Sequence, residues 1–163
     1  MKYRIAALMC LLLLLLTGCK EKNDVQIMPE VGTKPVDHDR PMISFLEAPG
    51  LVVSDVEVQE DRVRYSLTNT AQNDFWIGTR IEVEIELDGV WYRLQTDIAQ
   101  FDDVKIIKPG ATAQFGGGSA LYRADRFAPG NYRLVKSARW EVPDVEPIDY
   151  PRYDYYLPFT IAE

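Results

Sequence analysis

One heptapeptide constrains the fold more than any other part of this 163-residue chain. Ile81-Glu82-Val83-Glu84-Ile85-Glu86-Leu87 puts every apolar side chain on one face of an extended strand and every carboxylate on the other. At a period of 3.6 the same residues would scatter the glutamates around a helix. Asp88-Gly89 follows, a pair suited to the positive φ angles of a type I′ hairpin, and Val90-Trp91-Tyr92-Arg93-Leu94 returns as the partner strand. On this reading Glu82, Glu84 and Glu86 are solvated.

The same period recurs along the chain. Residues 51–58 read as a first strand and Glu60-Asp61 as a tight turn. Val63, Tyr65 and Leu67 then alternate with polar neighbours in a half-buried strand. Lys108-Pro109-Gly110 turns into a strand over residues 111–115, and Gly116-Gly117-Gly118 reads as a flexible break. Pro129-Gly130 turns into a strand that runs from Asn131 to about Trp140. The last strand is read over residues 155–161, where Pro158 marks an edge or a bulge. No stretch sustains a long amphipathic helical period. About seven strands with frequent turns predict an all-β sandwich of two antiparallel sheets over residues 45–163.

Residues 1–18 read as an export signal: Lys2 and Arg4 precede an apolar run from Ile5 to Leu16, about a dozen residues where a membrane span needs about 20. The run ends in Leu16-Thr17-Gly18-Cys19, which resembles the lipobox of bacterial lipoproteins. That resemblance implies lipidation of Cys19, cleavage before it, and a protein anchored to the outer face of a bacterial membrane, or to an outer membrane if the host has one. Cys10 would leave with the signal, so the mature chain would hold neither a free thiol nor a disulfide. Loss of Lys2 and Arg4 takes 18 basic residues to 16 against 25 acids, a net charge of −9. Such a body is repelled from anionic lipid, and anchoring rests on the acyl chains. Residues 19–44 then form a flexible linker, with His38 solvated between Asp37 and Asp39.

The block Phe127-Ala128-Pro129-Gly130-Asn131-Tyr132-Arg133-Leu134 resembles the tyrosine corner of immunoglobulin-like sandwiches, which implies a hydrogen bond from the Tyr132 hydroxyl to nearby backbone. The order of Tyr65–Asn69, Asp88–Tyr92, Lys108-Pro109-Gly110 and Pro129–Arg133 is similar to that of bacterial Ig-like domains found in exported lipoproteins. The resemblance covers residues 45–163 and implies a fold, not an activity.

Net charge −7 and pI ≈ 4.8 argue against a nucleic-acid partner. A domain without His or Cys excludes a Ser-His-Asp triad and a Cys/His zinc site, so the protein is expected to be no enzyme and to need no cofactor or metal. The most unusual stretch is residues 143–154, acidic, Pro-stiffened and rich in Tyr. Asp144, Glu146, Asp149, Tyr150, Tyr153 and Asp154 are its candidate binding residues, with tyrosines supplying contact area at low entropy cost. The leading expectation is a non-catalytic protein-binding or structural module at the cell envelope. Alternatives are a carbohydrate platform from Trp76, Trp91, Trp140, Tyr92 and Phe75, a cation site in the acidic loop, and, further off, a carboxylate-based hydrolase.

Overall fold

The computed structural model describes residues 27–96, 98–100 and 103–163. The expected signal peptide, Cys10 and Cys19 lie outside the described residues. Among the described residues, eleven strands form two facing sheets. In chain order they are β1 (Val31–Pro35), β2 (Met42–Ser44), β3 (Leu51–Gln59), β4 (Arg62–Asn69), β5 (Phe75–Gly78), β6 (Glu82–Leu87), β7 (Val90–Leu94), β8 (Val104–Ile107), β9 (Thr112–Gly118), β10 (Gly130–Trp140) and β11 (Tyr153–Ile161). The larger sheet runs β1-β7-β6-β10-β11-β2, and the smaller runs β3-β4-β9. The long strand β10 pairs with β6 through residues 132–135 and with β5 through residues 138–140, and β8 adds to β5.

The predicted alternation is clearest in β11 and in the side-chain directions of β6 and β10, whereas β3 is largely exposed beyond Leu51. In β6, Val83 and Ile85 face the core. Asp88 and Gly89 close the β6–β7 hairpin with φ of 52° and 78°, the positive pair that the I′ turn requires. In β10, Tyr132, Leu134 and Ala138 point inward into a core shared with Tyr65 and Leu67 of the facing sheet, Phe75 of β5 and Phe45 just after β2. A side chain the size of Leu134 contributes about 1.5–3 kcal/mol by leaving water. The Tyr132 hydroxyl donates to the Ala128 carbonyl at 2.8 Å, and its ring stacks on Phe159 at 5.3 Å. Pro158 lies past the end of β2 on the edge strand β11. Its imide nitrogen faces the same side as the Tyr156 carbonyl that accepts from Phe45, so no ladder bond is forfeited.

Four short strands were not legible in the sequence, and three local expectations are corrected. Residues 31–44 are not a free linker: β1 pairs antiparallel with β7, and β2 pairs parallel with β11. They cap the two open edges of the large sheet, which outweighs their Pro and Gly content. Gly116-Gly117-Gly118 is not a break, because β9 pairs with β4 through Gly118. A Cβ on Gly116 would sit 2.6 Å from the Val63 carbonyl oxygen, so glycine here permits close strand approach. Glu84 is not solvated but wholly buried, for a reason found on the outer face of the large sheet.

Candidate functional site

The outer face of the large sheet carries the residues that alternate out of the core: Trp91 and Arg93 on β7, Glu82 and Glu84 on β6, Arg133, Val135, Ser137 and Arg139 on β10, Asp154 and Tyr156 on β11, and Trp76 on β5. Residues 36–41 cross this face as a strap, from β1 at one side to β2 at the other. The strap is pinned at each end by backbone bonds, Val36 N–H to the Trp91 carbonyl at 2.9 Å and Asp154 N–H to the Pro41 carbonyl at 3.1 Å.

His38 hangs from the strap into the face. Its Nε2 lies 3.1 Å from Glu84 Oε1, and its Nδ1 lies 3.2 Å from Asp154 Oδ2. Arg133 donates from Nε to Glu84 Oε2 at 2.7 Å, with its guanidinium carbon 4.2 Å from the Trp91 ring centre and 5.7 Å from that of Tyr156. Glu84 is therefore held between a planar cation and an imidazole beneath the strap, which removes it from water. Asp154 also accepts from Arg40 at 3.2 Å, and Arg40 donates to the Ser137 hydroxyl. Farther along, Glu82 is bridged to Arg93 at 2.8 Å and to Arg80 at 3.4 Å.

Beside this network lies a groove of about 500 Å³, within the range of ligand-binding clefts. Its walls are the strap residues Asp37 to Arg40, the β10 face from Val135 to Arg139, Trp76 of β5, and Arg152. The strands provide a rigid floor, and the strap supplies one wall.

The loop singled out from the sequence is placed differently from its expected role. Tyr150 is only 6% exposed and meets Trp76 edge-on at 5.9 Å, so it offers no contact area to a partner. Tyr153 and Asp154 belong to β11 rather than to the loop. Tyr153 packs edge-on against Tyr155, and Asp154 is held by His38 and Arg40. Asp144, Glu146 and Asp149 are exposed, and among the described residues no three His, Cys, Asp or Glu side chains gather as a metal-ligand set. The aromatic platform is likewise divided: Phe75 is in the core against Trp140, Trp91 lies under Arg133, and Trp76 lies under Arg139.

Sequence reading placed His38 in solvent, which its 10% side-chain exposure corrects, and gave Arg133, Arg139 and Arg152 no part in a site. A signal for two of them was present. Arg133, Val135, Ser137 and Arg139 share one face of β10 by period-two spacing, so a strand with arginines on its polar side could have been read as a cationic stripe. The contact of His38 with Glu84 spans 46 residues and leaves no local pattern.

Two sheets packed face to face, a tyrosine corner and strand edges capped from the N-terminal side define an immunoglobulin-like sandwich. The chain belongs to the bacterial Ig-like domain family, whose model matches residues 51–151. That segment runs from β3 to the β10–β11 loop and contains the groove floor, whereas the strap, Arg152 and Asp154 lie outside it. A comparison with curated proteins gives no match.

Proposed function

We propose that the protein is an exported lipoprotein, anchored through Cys19, whose Ig-like domain is a non-catalytic binding module that receives a partner protein in the groove beneath the strap. The observation that carries this reading is the groove itself: an arginine-rich concavity on a rigid sheet face. The acidic loop supports recognition less well, because Tyr150 is buried and Tyr153 is packed into β11. Glu84, the most enclosed carboxylate, is committed to Arg133 and His38, which speaks for a scaffold role over acid–base work.

The test is a pull-down from native membranes with the lipidated protein. Ser137→Trp fills the groove from its floor and is expected to abolish partner retention. Reversing the charges of Asp144 and Glu146 is expected to leave it intact. The opposite pattern returns recognition to the loop. The anchor is tested separately: Cys19→Ala should block acyl labelling and the associated cleavage, and equal processing of the two chains would remove the lipoprotein assignment.

A further inference from the structure

Most charged residues that line the groove are already paired. Glu82 is shared by Arg80 and Arg93, and Asp154 is shared by His38 and Arg40. Arg139 and Arg152 are different. Both line the groove, and among the described residues neither has an acidic partner. The strap acids Asp37 and Asp39 share the lining without coming within ion-pair distance of either guanidinium. In a chain of net charge −7, two arginines that line one groove without an acidic partner stand apart from the rest.

Arg139 is held in position before any ligand arrives. It stands directly opposite Trp76 in the β10–β5 ladder. Its guanidinium carbon is 5.4 Å from the Trp76 ring centre and 5.8 Å from that of Tyr150. Cation–π contact of this kind restricts where the guanidinium can go without using its N–H donors as hydrogen-bond partners. Two donors in this corner are shut off from water with no acceptor: Arg139 Nη1 and the indole Nε1 of Trp76. Nε and Nη2 of the same guanidinium are not closed off in this way and have no acceptor among the described residues either, so an anion entering the groove meets unpaired donors there and offsets the partial desolvation of the cation. These open groups are donors, so the missing chemistry is an acceptor. A cation or a plain apolar group would not supply it.

We infer that the β5 end of the groove, formed by Arg139, Arg152 and Trp76, is an oxyanion site that takes a carboxylate or phosphate group. The inference rests on the groove being the docking site, and it names the chemistry that the partner must carry there. The buried Tyr150 gains a role in this arrangement, as one of the two rings that hold Arg139 in place.

The test uses the full-length lipoprotein in nonionic detergent, titrated at constant ionic strength with sodium phosphate and, separately, with sodium acetate. Tryptophan fluorescence is the readout. Saturable quenching by at least one anion is expected. Arg152→Gln, at an exposed position that leaves the fold alone, should weaken it by about fivefold or more, as loss of one charge-assisted contact requires. Arg139→Gln should abolish it, with thermal melts confirming that the variant is folded. Lys34→Gln, on an edge strand away from the groove, should bind as the parent does. Response to acetate alone assigns a carboxylate, and response to phosphate alone assigns a phosphate. No saturation by either anion below about 50 mM, or parental binding by Arg152→Gln, overturns the inference. The groove reading fails separately: partner capture that survives Ser137→Trp removes the docking site. Capture lost in Ser137→Trp but unchanged in Arg152→Gln and Arg139→Gln removes only the oxyanion.

Discussion

Glu84 and Arg133 form the most enclosed arginine–carboxylate pair among the described residues, with side-chain exposures of 0% and 13%. Removing one partner of such a pair strands the other charge in a low-dielectric site, at a cost of about 3–5 kcal/mol, whereas replacing both by apolar side chains of similar volume is far milder. Glu84→Ala should therefore lower the urea midpoint more than the double variant Glu84→Leu with Arg133→Met. A double variant as unstable as the single would show that the pair contributes net stability rather than register.

Lys136 raises a related point on the opposite side of β10. It points inward and donates to the carbonyls of Gly78, Thr79 and Arg80 at 3.0, 3.1 and 3.3 Å, joining β10 to the chain segment between β5 and β6. Burial, together with the nearby Lys105 charge, pushes its ammonium down from 10.5 to about 8. Between these values the unfolded chain binds a proton that the folded chain has released, so raising the pH through that window favours folding. The gain is halted near pH 10, where tyrosines raised by burial, such as Tyr65 and Tyr155, begin to ionise only in the unfolded state. Urea midpoints should rise from pH 7.5 to pH 9.5, and Lys136→Met should flatten that rise. A flat profile in the parent protein would place the ammonium at its ordinary value.

At the scale of elements, β9 and the strap show how a local reading goes astray. Three successive glycines look like a break because glycine is entropically costly in a strand. They remain in the β4 ladder because β9 comes too close for a side chain: Gly116 faces the Val63 carbonyl, and a Cβ on Gly117 would sit 3.1 and 3.2 Å from Leu134 and Ile81. Gly116→Val should cost about 1–3 kcal/mol through forced strand separation, read as a lower thermal midpoint. An unchanged midpoint would mean that β9 shifts freely at this point. The strap depends likewise on distant partners. Its composition resembles a tether, but His38, Val36 and Pro41 each have an acceptor or donor on the sheet.

For the whole molecule, the N-terminal strands decide where the domain begins. A chain starting at residue 45 lacks β1, the strap and β2, so β7 and β11 become open edges and Glu84 loses its cover. Open edges invite pairing between chains. That fragment should show a lower urea midpoint and higher-order species in size-exclusion chromatography, compared with a chain starting at residue 27. Equal behaviour of the two would restore the boundary at residue 45.

The parts written into the sequence itself are those with a short period or a local turn. The all-β class, the β6–β7 hairpin and the strand cores of β3, β4, β10 and β11 were legible because side-chain direction alternates every residue and Asp88-Gly89 tolerates positive φ. Tyr132 was legible because its acceptor lies four residues away. The groove, the strap and the burial of Glu84 were decided by tertiary structure alone. They depend on the strap meeting strand residues 46 and 116 positions away in the chain, so that a histidine from an apparent linker covers a carboxylate from a hairpin. Binary patterning records which face of a strand is polar. It does not record what folds over that face, and burial of a charge is a property of the covering element, not of the charged residue.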